Sequence, residues 1–316
     1  MSIGPVKFDI GFWGDYLDAQ LSSLPPLPSV ERLSDRVTRI LGGNPGRIAL
    51  QGTNTYLVGT GRSRILLDTG QGKPGWIDSL SRTLESQSIQ ISHVLLTHWH
   101  GDHVGGICDL VKYDPRLGSK IHKWKPDAGQ LGILDRQVFE VEGATLEAVH
   151  LPGHAQDHAC FILKEEKALF TGDNVLGHGY STSEDLIAYV QSLRQMLVLD
   201  CGIGYPGHGE SIADLDAKIK EYLHVQETRE LQICRALAGE ASGSRLLPSR
   251  MGVTVEELAR VLFAGVPEEV RKLSVERVLS ENLWLLAAKG SVGFKVQNRE
   301  RHWYAKRALT TAENSS

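Results

Sequence analysis

Four side chains with metal-binding chemistry stand within six residues, His98-Trp99-His100-Gly101-Asp102-His103, directly after the strand-like run Val94-Leu95-Leu96-Thr97. A strand that ends in a tight turn aims His98 and His100 at one ion, while the next turn aims Asp102 and His103 at a second. Imidazole nitrogens with a carboxylate suit Zn²⁺ at roughly 2.0–2.2 Å and tolerate Mn²⁺ or Fe²⁺. The competing account is a histidine-rich surface turn with incidental metal affinity.

Residues further along weigh against that account. Pro152-Gly153-His154 follows Leu146–Leu151, Thr171-Gly172-Asp173 follows Ala168-Leu169-Phe170, and Pro206-Gly207-His208 follows another short apolar segment. Each potential ligand therefore lies just past an apolar run, beside a glycine that permits a tight turn and close approach. One Gly-His or Gly-Asp pair is ordinary loop chemistry; three in this order after the first cluster are not independent accidents.

These motifs resemble the metallo-β-lactamase superfamily through Thr97–His103, His154, Asp173 and His208, over residues 35–214. The resemblance implies that His98, His100 and His154 hold a first divalent ion. It implies that Asp102, His103 and His208 hold a second, with Asp173 bridging. Two ions are expected, Zn²⁺ first, with Mn²⁺ or Fe²⁺ as alternatives. Upstream, Gln51–Val58 and Ile65–Gly70 look like the paired opening strands of that fold. Asp68, ending the second of these, either accepts from a ligand histidine or belongs to an ordinary Asp-Thr-Gly turn. Asp102 is expected to carry a proton between the attacking water and the leaving group as well as bind metal. His178 either donates to substrate or is a loop histidine.

The expected fold class is α+β, an αββα sandwich with a small, mainly helical, winged-helix-like C-terminal domain. The expected divisions are an N-terminal arm (1–34) built on an amphipathic Phe8–Leu21 segment, a catalytic domain (35–214), the helical domain (215–297) and a tail (298–316). Helices are expected over Gly75–Ser86, His103–Lys112 and Ser183–Met196, the last capped by the Ser181-Thr182-Ser183 hydroxyls. Beyond them, helices are expected over Leu215–Leu237, Val253–Phe263 and Val266–Ala288, with Gly239–Gly243 a flexible break and a closing strand pair around Gly290–Val296.

With 316 residues and 41% hydrophobic content, the chain can bury one large core and a smaller one. No apolar run approaches the roughly 20 residues of a membrane span, and Met1–Asp9 lacks a charged-then-apolar signal pattern, so a cytoplasmic protein is expected. Cys108, Cys160, Cys201 and Cys234 form no CxxC pair and are expected to be reduced. A formal charge of −4 argues against broad nucleic-acid binding. The segment Lys295–Arg307 is nevertheless basic and aromatic, fit for an acidic partner or RNA, or simply a solvated extension.

Fold and metals do not choose a substrate. Leu283–Val292 resembles the end of the C-terminal domain in the β-lactamase-like protein 2 branch. Leu41–Gly46, Leu50–Gly61 and the aromatic arm are similar to fungal thioesterases that act beside non-reducing polyketide synthases, above all the atrochrysone carboxyl acyl-carrier-protein thioesterases. That likeness implies an acyl carrier protein as partner and an aromatic polyketide thioester as substrate, hydrolysed or cyclised. Single-strand endoribonuclease and glyoxalase-II-type thioester hydrolase are the alternatives. A non-catalytic scaffold is a further class, disfavoured because all seven ligand positions are filled.

Overall fold

The computed structural model describes residues 21–239 and 252–306. All of the Phe8–Leu21 segment but its last residue, most of the Gly239–Gly243 break and the residues after Lys306 lie outside these. The chain divides into two compact units, Asp15–Glu221 and one that begins at Tyr222.

The first unit holds two sheets. Strands β1 (Val30–Arg32), β2 (Val37–Leu41), β3 (Asn54–Val58), β4 (Ser63–Leu67), β5 (Gln90–Leu95), β6 (Ile121–Lys123) and β7 (Leu131–Gly132) form one, neighbours in that order. Strands β8 (Val138–Val141), β9 (Ala144–His150), β10 (Ala159–Leu163), β11 (Ala168–Gly172) and β12 (Ile203–Pro206) form the other. The opening strands β3 and β4 pair, as expected, and run antiparallel.

Strand periodicity explains the layering. On β3 and β4, Tyr56, Val58, Ile65 and Leu67 face the second sheet and join Phe139, Leu146, Phe161, Leu163 and Phe170. Their alternates Leu57 and Leu66 face outward with Trp76, Leu80, Leu84 and Leu110. Successive side chains point to opposite faces of a strand, so a stretch covered on both faces is apolar throughout, as Tyr56–Val58 and Ile65–Leu67 are. Each fully buried leucine contributes about 1.5–3 kcal/mol. The first sheet is thus backed by the Pro74–Ser86 and Ile107–Tyr113 helices, while the Leu186–Met196 helix packs at the Pro152 turn, where Ser192 Oγ donates to the Pro152 carbonyl at 2.6 Å.

Several boundaries differ from expectation for identifiable reasons. The His103–Lys112 helix is two pieces, Gly101–Val104 and Ile107–Tyr113, broken at Gly105-Gly106. The helix expected from Ser183 begins at Leu186, because the Asp185 carboxylate accepts from the Ile187 and Ala188 amides and so occupies the cap.

In the second unit, Ile233, Leu237, Leu258, Leu279, Leu283, Leu286, Val292 and Trp303 make a separate core. It is built by the C-terminal part of the Leu215–Leu237 helix, the Val255–Leu262 helix, the Glu276–Ala288 helix and a hairpin, β13 (Val292–Gln297) with β14 (Glu300–Ala305). Pro267 starts a short Glu268–Val270 turn and a π-helical step over Arg271–Val275, so Val266–Ala288 is not one regular helix. The strand pair lies further along than Gly290–Val296, and residues expected in a tail from 298 are strand as far as Ala305: Phe294 faces Trp303, and Arg301 lies over the Trp284 ring.

Candidate metal centre

The two groups of ligand-type side chains come together at one end of the sandwich. His98, His100, His154 and Asp173 offer ligand atoms all within 4.8 Å of one another, and so do Asp102, His103 and His208. In the first group, His98 Nε2 and His154 Nε2 lie 2.9 and 3.0 Å from the same atom, His100 Nδ1. Three imidazole nitrogens turned to one point suit a cation better than they suit each other.

Asp173 joins the groups. Its Oδ2 lies 3.6 Å from His154 Nε2, 4.0 Å from His98 Nε2 and 3.3 Å from His208 Nε2, and its Oδ1 is 3.4 Å from His103 Nε2. Asp102 Oδ2 lies 3.2 Å from His208 Nε2 and 3.5 Å from His103 Nε2. Buried His103 Nε2 and Asp173 Oδ1 have no hydrogen-bond partner among the described residues. A buried polar atom left unpaired costs about 1–3 kcal/mol, a cost that a divalent cation between these two atoms would remove. The donor set, imidazole nitrogens with carboxylate oxygens, fits such a cation.

The opposite nitrogen is hydrogen-bonded in four of the five histidines. His98 Nδ1 lies 2.9 Å from the Thr97 hydroxyl, and His103 Nδ1 lies 2.7 Å from Asp68 Oδ2. His154 Nδ1 faces the Thr182 carbonyl at 2.9 Å and the Ser181 hydroxyl at 3.1 Å. His208 Nδ1 faces the Ala49 carbonyl at 3.2 Å, and His100 Nε2 approaches Glu184 Oε1 at 3.8 Å. Such contacts fix the tautomer that leaves the inward nitrogen free to ligate.

Glycine makes the convergence possible at two turns. Gly172 has φ +49°, and a Cβ there would lie 2.5 Å from His158 Nε2. A Cβ on Gly207 would lie 2.2 Å from Asp173 Oδ1 and 3.0 Å from His103 Cε1.

The electrostatics divide the site. Burial, then the charge of His103, drives the His98 imidazole well below the usual histidine range, and burial also lowers His154. Burial opposes charge on His208 too, but the Asp173 charge and hydrogen bonds with Asp102 and Asp173 outweigh it and raise His208 to about 9. Burial opposes charge on Asp102 and Asp173, but the charges of His208 and His103 and hydrogen bonds with them outweigh it and hold both carboxyls well below the usual carboxylate range, in the ionised form that a ligand needs.

All seven positions expected to ligate lie in the two groups, and Asp68 stands behind His103. His178 is not among them; its Nε2 pairs with Glu210 Oε2 at 3.4 Å. Two features escaped the sequence. His158, buried behind Asp173, accepts the Asp173 amide proton on Nε2 at 3.0 Å, and its position four residues after His154 was the available signal. Ser181 and Thr182, expected as helix caps, instead hold His154.

The Metallo-beta-lactamase superfamily model matches residues 49–208, and the chain belongs to that family. Lactamase-like protein adaB of Aspergillus niger is 52% identical over 305 residues, covering 95% of each chain. The Atrochrysone carboxyl ACP thioesterase of Aspergillus chevalieri is 50% identical over 297 residues, covering 94% of this chain and 96% of that relative. A beta-lactamase domain protein from Burkholderia ambifaria shares the fold with a TM-score of 0.68 at 14% identity, over 91% of this chain and 99% of that one. Among the described residues no helix is long and apolar enough to cross a membrane.

Proposed function

We propose that this protein is a metal-dependent thioesterase that releases an aromatic polyketide from an acyl carrier protein, by hydrolysis or by ring closure. The observation that carries this is the complete set of seven ligand-type residues in two groups sharing Asp173, on a chain half identical to the relative named as a carrier-protein thioesterase.

His98, His100, His154 and Asp173 would hold one ion, and Asp102, His103, His208 and Asp173 the other. When bound, two divalent ions acidify water, polarise the thioester carbonyl and stabilise negative charge on its oxygen. Asp102 would handle the proton: 24% of its side chain is exposed against 10% for Asp173, so it is the carboxylate that reaches the substrate side. In hydrolysis the C–O bond forms, the C–S bond breaks, and the proton leaving water passes by way of Asp102 to the departing sulfur. A thiol with pKa near 8.5 leaves readily as thiolate, so the chain needs no strong acid of its own. In ring closure a carbon of the acyl chain gives up its proton and forms a C–C bond at the same carbonyl, the C–S bond breaks, and the proton goes by way of Asp102 to the departing sulfur.

The test is thiol release from an aromatic acyl-pantetheine thioester, with and without chelator, beside labelled single-stranded RNA in the same buffer. Chelator-sensitive thiol release with intact RNA is expected. RNA cleavage with an untouched thioester would move the protein to the endoribonuclease alternative.

A further inference from the structure

The loop ahead of β3 reaches the site at Thr53, a buried residue that stands outside the seven ligand-type positions. Its backbone bridges His208 in antiparallel fashion, and the next amide, of Asn54, donates to the Gly207 carbonyl at 2.7 Å. Its hydroxyl lies 3.1 Å from Asp102 Oδ2, the oxygen turned towards His103 and His208. One residue thus touches the side chain of Asp102 and the backbone that carries His208.

The direction of that hydrogen bond follows from Asn44. Asn44 Oδ1 accepts the Thr53 amide proton at 2.9 Å, which fixes the orientation of the side-chain amide. Its Nδ2 must then donate to Thr53 Oγ1, 3.0 Å away. A hydroxyl has one proton; with its oxygen already accepting from Asn44, that proton points to Asp102. Asn44 and Thr53 are both buried, 8% and 0% exposed, so water does not compete for these bonds.

We infer that Thr53 is a positioning residue, locked by Asn44 as a hydrogen-bond donor to Asp102, that sets the second group for its cation. This rests on the two-ion reading of the site. The donor restrains the rotation of Asp102, whose side chain is otherwise partly solvated, and holds Oδ2 at the distance from His208 that a shared ion requires. Partners of this kind are typically worth 10–100-fold in metal affinity.

The test is a metal titration of chelator-stripped full-length protein with Zn²⁺, comparing wild type with Thr53→Val and Thr53→Ser. Valine keeps the branched shape and removes the proton; serine restores it. The expected result is two binding events in wild type, the second weakened about tenfold or more in Thr53→Val with the first unchanged, and the second restored in Thr53→Ser. Asn44→Asp, which can accept from Thr53 but no longer donates to it, should pull the hydroxyl proton away from Asp102 and mimic Thr53→Val. Two ions bound by Thr53→Val with wild-type affinity would overturn the inference alone. Equal weakening of both events with a lowered melting temperature would show a merely structural role and overturn it as well. A wild type binding fewer than two ions would remove the two-ion reading and this inference with it.

Discussion

Asp68 and His103 meet at 2.7 Å, Oδ2 to Nδ1, at the end of a strand that lies beneath the ligand groups. The same carboxylate accepts from the Thr97 amide and hydroxyl, each at 2.8 Å, and so ties β4 to the turn that carries His98. Asp68 itself sits at φ +58°, a backbone state that Asp tolerates better than most residues. Of the two accounts open from the sequence, a plain turn or an acceptor from a histidine, the geometry has Asp68 accepting from His103. Asp68→Asn keeps the shape but removes the charge that raises the basicity of His103. Zn²⁺ affinity at the second group should fall about 10–100-fold, measured by competition with a chromogenic chelator; unchanged affinity would mean that Asp68 acts only on the backbone.

Asp102 is assigned two tasks, ligand and proton carrier, and Asp102→Asn separates them. The amide oxygen can still face the ion, but the group no longer takes a proton. Turnover should fall by about 10²-fold or more, the usual worth of general acid–base help, while bound metal falls by a smaller factor. Steady-state rates set against metal content check this. A mutant near the wild-type rate would leave Asp102 a ligand only.

Much of the centre was legible because its residues sit beside one another or beside glycine. His98 to His103 share one turn, and His154, Asp173 and His208 each follow an apolar run that became β9, β11 or β12. The supporting residues were not legible, since their roles depend on partners far away in the chain. Thr53 reaches Asp102 across 49 positions, and Ser181 reaches His154 across 27. Local rules gave Ser181 a capping role that Asp185 fills. They also gave Glu300–Ala305 to a tail, because its charges mask a period-2 pattern in which Arg301 and Trp303 pack on one face. The π-helical step at Arg271–Val275 has no clear signature beyond Pro267 just ahead of it.

His122 on β6 predicts a pH dependence separate from the ligand groups. Its ring packs edge-on to Phe139 at 5.0 Å and lies 5.4 Å from His93, itself held low by burial and then by the Lys120 charge. Burial, then the neighbouring His93, pushes its pKa down to about 4. The unfolded chain therefore binds this proton near pH 6.5, before the fold does. Its contribution is fully present above about 6.5, is lost as pH falls from there towards 4, and changes no further below. Urea unfolding at pH 7.5, 6 and 5 should show a loss of about 1–3 kcal/mol that His122→Phe reduces. An identical slope in the mutant would assign the acid sensitivity elsewhere.

Trp99 stands between two ligand-type histidines yet is 51% exposed, its ring 4.6 Å from that of His100. A tryptophan left half in water forgoes burial worth kcal/mol, and a flat apolar face beside the site suits an aromatic acyl group, which stacks with offset or edge-on geometry worth about 0.5–1.5 kcal/mol beyond its area. Trp99→Ala should therefore leave the ligand groups intact and act on substrate choice. For an aromatic acyl-pantetheine thioester, kcat/KM should fall about tenfold, the kinetic equivalent of 1.4 kcal/mol, mostly through KM, whereas an acetyl thioester should be turned over at an almost unchanged rate. An equal fall for both substrates would place Trp99 in the support of His100, and no fall for either would leave it outside the acyl path.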